Sequence, residues 1–489
     1  MTPPTNEMIL KRGIIVNTIG IVTKFSKAFY LILFSTFLGA TQFGIYTYSF
    51  AIFEVACTIL QFAYGQTLAV QFGKYRHRGL QKYIFKAGNH VFIRATLVST
   101  IFSAIIYFLV PHVFEYIGHQ DDYVIPLQIL CFAIPAYALK YNILFSIRAS
   151  FDTRFEVVVL SMVEPLLILL GGWIAFQFHV DIHTLCWAFV VVFHTTLILS
   201  YYLYARKYKQ PINEMDPKFK FRYFVKASFP VATMEILNMF MGKSDLIFIG
   251  YFVSPALVGI YGAAYEISSM ITKIKAAIEP TLPSLMQKIH HENNKTKVRE
   301  WFTRSMFWTL LPTTAIAGFE MLDPDFFMSF FKFDASYQTY FMVLPILALG
   351  RLFHAVFGLI DAPLYMVDHS HSSMRISLVN FICNITLFAI LIPKIGLMGA
   401  GIGYTLSAIL TTTYRMYLSK KIFQFVPLNI SFLIPISSMA FGLVVGNLIQ
   451  KIFSKPGYLK TSVVYLSFAM IYFLCFQSLR KTKLNRRTL

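Results

Sequence analysis

The sequence predicts an all-α integral membrane protein of about fourteen transmembrane helices, organised as two six-helix repeats with two further helices near the C-terminal end. Three observations predict it. The 489-residue chain is 56% hydrophobic and only 13% charged, with a mean hydropathy of +0.60, whereas a soluble protein carries about 25% charged residues. The apolar residues fall in runs of about 20 or more, long enough to cross a bilayer as helices. Two segments also read as copies of one another. Phe37-Leu-Gly-Ala-Thr-Gln-Phe-Gly-Ile-Tyr46 aligns without a gap on Phe252-Val-Ser-Pro-Ala-Leu-Val-Gly-Ile-Tyr261, a shift of 215 residues. The same shift sets Lys11 on Lys226, Thr18 on Thr233 and Phe25 on Phe240. An internal repeat of hydrophobic helices marks a membrane transporter built from two related halves.

The spans follow in order. The first, 13–38, begins after the polar stretch Met1 to Met8 and is too long, and too interrupted by Lys24 and Lys27, for a cleavable signal core. The repeated loop separates it from the second, 42–70. Basic and acidic loops then set off 90–111, 124–147, 155–178 and 182–204, which complete the first six. The 215-residue shift pairs the first span with the seventh, so 226–252, 255–285, 301–322, 340–366, 372–393 and 396–418 form the second six. The remaining pair is 427–449 and 459–479. The predicted domains are therefore 1–210, 211–425 and 426–489.

The formal charge of +20 raises the question of a nucleic-acid partner, and its distribution answers against one. Lys74, Arg76 and Arg78 follow the second span, Arg206, Lys207 and Lys209 the sixth, and Lys420 and Lys421 the twelfth. With simple alternation these loops share one side. Glu115, Asp122, Asp181, Asp323, Asp325 and Asp334 fall on the other. This positive-inside bias places both termini in the cytoplasm; Lys451, Lys455 and Lys460 are the dissent.

Three passages carry a family likeness: Leu38-Gly-Ala-Thr-Gln-Phe-Gly-Ile-Tyr46, Asp245-Leu-Ile-Phe-Ile-Gly-Tyr-Phe-Val-Ser-Pro-Ala-Leu-Val-Gly-Ile-Tyr261 and Ile392-Pro-Lys-Ile-Gly-Leu-Met-Gly-Ala-Gly-Ile-Gly-Tyr404. In order and spacing the chain resembles the polysaccharide (O-antigen/oligosaccharide) flippases of the MOP superfamily. The resemblance implies N- and C-lobes around a central cavity that opens alternately to either side. It further implies export of a lipid-linked oligosaccharide across the inner membrane, with no cofactor. The partners it implies are that substrate, membrane lipid, a polysaccharide polymerase and glycosyltransferases, with a proton or sodium ion as coupling ion.

Ionisable side chains deep in a membrane face a cavity or a partner. Lys24 and Lys27, one helical turn apart, Lys140 in the fourth span and Arg351 in the tenth are candidates for a cationic lumen that holds a lipid pyrophosphate. The competing reading pairs them with Glu54, Glu164, Glu235 or Glu266, which also lie inside spans. Those acids admit a coupling role as well, since a buried carboxyl can carry protons and a cluster can hold sodium. Arg94, Arg304, Arg375 and Arg415 read as anchors at the cytoplasmic interface, and the many Phe and Tyr residues as lipid-facing or interfacial.

His290, His291, His369, His371, His194 and His354 show no metal-site spacing, and Cys57, Cys131, Cys186, Cys383 and Cys475 read as small buried hydrophobes. No phosphate-cradling G-x-x-x-x-G-K-S/T loop occurs, so the chain brings no ATPase of its own. Pro135, Pro165, Pro230, Pro283, Pro312, Pro345 and Pro435 predict kinks, and Gly399 with Gly403 and Gly442 with Gly446 predict close helix contacts. Three other functions remain open: a lipid II flippase, a cation-coupled multidrug exporter, for whose cationic drugs these lysines would be repulsive, and a membrane glycosyl transferase, for which the outer loops are short.

Overall fold

In the computed structural model the described residues are almost all helical, with no strand among them. These are 26–117, 121–147, 154–209, 216, 219–278, 295–361, 370–426, 428–452, 465–470, 472–474 and 477. Lys24, Cys475, His290, His291, His369, Pro283 and the first half of the first span lie outside them. Helix is the element a bilayer allows, because hydrocarbon offers no partner for a backbone N–H or C=O.

The chain divides into two compact units, Met1–Gly259 and Ile260–Leu489. The first contains α1 (Ser26–Gln61), α2 (Tyr64–His77), α3 (Ile84–Ile117), α4 (Val124–Cys131), α5 (Ile134–Ile147), α6 (Glu164–Phe178), α7 (Ile182–Tyr208), α8 (Phe221–Phe252) and the start of α9 (Pro255–Ile278). The second contains the rest of α9, then α10 (Lys295–Leu322), α11 (Pro324–Ser329), α12 (Val343–Phe357), α13 (Ser370–Phe423), α14 (Leu433–Ile452) and α15 (Tyr465–Leu474). Among the described residues, seven helical stretches are long and apolar enough to cross a membrane, eight if α4 and α5, bent by 47° at their junction, form one broken span. α8, α9 and α10 are not among them, so this measure does not return the fourteen spans read from the sequence. Outward faces such as Ile101, Phe102, Ile105 and Phe108 of α3 are exposed and apolar, as a lipid-facing surface is.

Glycine stands at the break inside each of the two longest helices. α1 turns at Gly39 (φ 69°) and α13 at Gly396 (φ 56°), a left-handed backbone region that glycine enters without a Cβ clash. These bends join the first span to the second and the eleventh to the twelfth. Pro165 follows closely on the π-helical stretch Val157–Val163 inside a continuous run of helix, so its missing N–H removes one helical hydrogen bond there. Pro230 and Pro312 lie inside continuous helices.

The break between α1 and α2 has its own repair. Phe62 and Ala63 both adopt positive φ, 50° and 52°, and so strand backbone groups at two helix ends. Asn142 of α5 satisfies one on each side: its amide donates to the Gln61 carbonyl at 3.0 Å, and its carbonyl oxygen accepts from the Gly65 N–H at 2.8 Å.

The repeated segments meet each other. A Cβ on Gly44 would stand 1.7 Å from the carbonyl oxygen of Pro255, and one on Gly259 would stand 2.5 Å from the carbonyl oxygen of Ala40. Gly259 is the 215-shift equivalent of Gly44, and Pro255 of Ala40. The contact is therefore reciprocal, each copy lending a glycine to the other's backbone. One turn from there Gly250 of α8 receives the ring of Tyr48.

Many aromatic residues are exposed on the outer faces, Phe102, Phe108, Phe132 and Phe178 among them, but one group is not. Phe34, Tyr46, Phe50, Phe53, Phe189 and Phe193 form a continuous buried cluster, with neighbouring centroids 5.1–6.1 Å apart. Composition alone could not separate these from lipid-facing rings, because both environments are apolar. In the second unit Gly318 and Gly442 receive Phe468 of α15, and Gly446 receives Leu322. Arg415 is not an interfacial anchor: its guanidinium is buried and makes a two-point ion pair with Asp361, at 3.0 and 2.9 Å.

Two outcomes follow for the purified protein. Gly44→Ala places a methyl inside a backbone carbonyl and should cost about 3 kcal/mol or more, read as a large fall in melting temperature. Gly73→Ala, with open space at its Cβ, should gain up to about 1 kcal/mol. Asn142→Leu leaves two buried backbone groups unsatisfied at about 1–3 kcal/mol each and should melt well below wild type.

Candidate functional site

The intramembrane charges are the candidate site. In the first unit a π-helical stretch, Val157–Val163, precedes α6 and delivers Glu164 at its start. Such bulges reset the facing of the residues that follow. Glu164 is bonded to Lys140 of α5, which has no exposed surface. The rings of Tyr137, Tyr141 and Phe193 close around the ammonium, their centroids 4.5, 4.9 and 4.7 Å from Nζ. Carboxylate and ring faces together replace the water that a buried lysine loses.

Glu54 of α1 pairs with Lys243 of α8 at 2.5 Å. Lys243 thus reaches across from α8 to another helix. Glu235 of α8 is exposed and accepts from Gln66 Nε2 at 3.5 Å. Lys27 is half-buried near the start of α1, and Lys24 lies outside the described residues.

In the second unit Glu266 meets Lys273, two turns along α9, at 3.3 Å. Arg351 of α12 is buried with its guanidinium carbon 4.3 Å from the Tyr265 ring centroid and 4.7 Å from that of Tyr404. Stacking engages the flat faces of a guanidinium, while its N–H donors lie in the plane and suit phosphate or carboxylate oxygens. Thr405, beside Tyr404, donates to the Ile346 carbonyl at 2.7 Å and ties α13 to α12.

The structure thus joins Lys140 to Glu164, and gives Glu54 and Glu266 lysine partners that sequence reasoning did not choose. It also shows a buried acid the sequence reading passed over. Glu320 is two residues from the end of α10, where it reads as interfacial, yet it is 1% exposed. Its signal was the stripe Met306, Leu310, Thr313, Ala317, Glu320, spaced three or four apart on one helix face and wholly buried. Outside the spans Asp334 caps a 3₁₀ turn, and the Ser336 N–H and hydroxyl hold its carboxyl below the usual range.

With this geometry in hand, the comparisons with known proteins are informative. The chain is 28% identical over 184 residues to the Haloferax volcanii protein named Probable flippase AglR, a match covering 37% of this chain and 39% of that one. The chain thus spans about two fifths of that relative's length. Two solved structures share the fold. The lipid II flippase MurJ in an inward closed conformation superposes with a TM-score of 0.71 at 13% identity, covering 96% of this chain and 99% of that one. An inward-facing multidrug resistance MATE family transporter of the MOP superfamily gives 0.70 at 13% identity, covering 84% and 98%. At such identity the likeness carries the fold alone: the all-α, multi-pass membrane architecture of those two structures. Residues 9–280, more than half of the sequence, match the family described as polysaccharide biosynthesis protein, and the chain belongs to that family.

Proposed function

We propose that the chain is a flippase that moves a polyprenyl-pyrophosphate-linked oligosaccharide from the cytoplasmic to the outer leaflet of the inner membrane, by alternating access, for polysaccharide or lipopolysaccharide synthesis. The observation that carries this reading is the match of residues 9–280 to a polysaccharide biosynthesis family on a chain with a transporter fold. The flippase name of the Haloferax volcanii relative adds support.

On this reading the protein is a secondary transporter and not an enzyme. Its lobes are 1–210 and 211–425, with 426–489 an added pair of helices, and both termini are cytoplasmic. Arg351, Lys27 and Lys24 contact the pyrophosphate head. Lys140 holds its place through Glu164. Glu54, Glu164, Glu235 and Glu266 act as counter-charges, and an acid released from its lysine can take up a coupling ion. Glycosyltransferases supply the substrate and a polymerase consumes it.

Three experiments test this. Arg351→Ala removes a charge-assisted contact worth about 1.5–3 kcal/mol and should cut surface glycan roughly ten- to hundredfold with protein abundance near wild type. Unchanged glycan on the variant removes Arg351 from the substrate path. Lys140→Ala strands a buried carboxylate at about 3–5 kcal/mol and should lower abundance itself. Glu164→Gln in the same chain should restore abundance. A reporter fused after Gln210 should report cytoplasm and one near Phe333 the outside; the reverse at either place would sink the topology.

A further inference from the structure

The first unit also holds a cavity that the charged residues above do not line. It lies where α1, α3, α4 and α8 meet, and its volume is about 260 Å³. Tyr48, Val110 and Leu127 are buried and form its floor, while Leu109, Val113 and Tyr251 are 36–53% exposed and stand at its mouth. The floor is fixed by packing. The Tyr48 ring fills the space over Gly250 of α8, where a Cβ would stand 2.1 Å from it. Its centroid is 4.6 Å from that of Tyr123, which is in turn 6.2 Å from Phe114.

The wall on α3 is apolar for a local reason. Pro111 lies among the lining residues of that helix and has no N–H, which frees the carbonyl four residues back. That carbonyl belongs to Tyr107, and Gln128 of α4 donates to it at 3.3 Å. The polar group that Pro111 exposes is therefore engaged from outside the cavity. Among the described residues that line it, the polar side chains are two phenols, Tyr48 and Tyr251. A buried water makes about two to four hydrogen bonds, so this lining suits water poorly and hydrocarbon well.

The mouth continues an exposed apolar face. Phe102, Ile105 and Phe108 of α3, 50–70% exposed, lead to Leu109, on a helix long and apolar enough to cross a membrane. In a bilayer that face is bathed in lipid chains. The cavity volume is about nine times the ~30 Å³ share of a water in the liquid. A methylene group is close to a water in size, so about nine of them fit. The α3 stretch from Ile106 to Phe114 that lines the cavity is about 12 Å long, which matches an extended chain of that number.

We propose that this cavity binds the acyl chain of a membrane phospholipid, which enters between Leu109, Val113 and Tyr251 and rests on Tyr48 and Leu127. Phospholipid is the solvent of this face and is present in excess, so it takes the site ahead of scarcer hydrocarbon. The bound chain fills the gap between α3 and α8 and stabilises the first unit by linkage. The assignment is independent of the substrate proposed above.

A phospholipid with a diazirine on its acyl chain tests this. In phosphatidylcholine vesicles holding the full chain, illumination marks the residues that the tail touches, and mass spectrometry maps them. Phe108 should be labelled by bulk lipid in any case. Tyr48 and Leu127, 5% and 4% exposed, should be labelled only where a chain enters. Val113→Trp closes the mouth and should lower labelling of those two about tenfold or more, with Phe108 unchanged. Labelling of Phe108 without Tyr48 and Leu127 overturns the proposal, and so does labelling of the pair that Val113→Trp leaves unchanged. Efficient labelling of the pair by a trace of diazirine-bearing polyprenyl phosphate, in the same excess of phosphatidylcholine, makes this a polyprenyl site and overturns the phospholipid assignment. Protection of the pair together with disulfide cross-linking of Val113→Cys chains to one another makes it a contact between copies and overturns it equally. Should Val113→Trp not accumulate, Leu109→Trp closes the mouth from the preceding turn and is read in the same way.

Discussion

Everything in this molecule answers to one constraint: hydrocarbon supplies no hydrogen bonds. A backbone group or a charge must find its partner inside the protein or near an end. The all-helical fold is the first consequence. Asn142 is the second, since the break at Phe62–Ala63 opens two helix ends and one amide closes both. The pairing of Lys140 with Glu164, Lys243 with Glu54 and Lys273 with Glu266 is the third. Two side chains stand apart. Arg351 lies against the rings of Tyr265 and Tyr404, and among the described residues neither oxygen of the buried Glu320 has a hydrogen-bond partner. These two side chains belong to helices that pack on each other.

Much of the fold was legible because hydropathy is a one-dimensional signal. Spans of about 20 apolar residues announce themselves without tertiary information. The repeat was equally plain, and its glycines gained meaning only when Gly44 and Gly259 proved to face each other's backbone. Breaks were harder to read. Proline was the obvious candidate, yet Pro230 and Pro312 ride within helices while Gly39 and Gly396 turn them. A proline in a membrane helix can have its lost bond compensated by neighbours, whereas a left-handed backbone angle is a positional fact that sequence does not display.

The candidate site was half legible. That charges exist at depth can be counted from the ends of a span; which one each meets depends on helix rotation and on neighbours far away in sequence. Glu54 and Lys243 are such a pair, on helices brought together only by folding. The π-helical stretch before Glu164 rotates that residue away from the facing a regular helix would give it. Glu320 escaped notice for a simpler reason. A position near a helix end suggests water, but the buried face of α10 continues through Ala317 to Glu320.

The reciprocal contact between the repeated segments has the symmetry of an isologous interface, in which one patch is complementary to itself. Each glycine receives a carbonyl from the other copy, Gly44 that of Pro255 and Gly259 that of Ala40. The two positions are therefore bound by one constraint: enlarging either glycine displaces backbone contributed by the other copy.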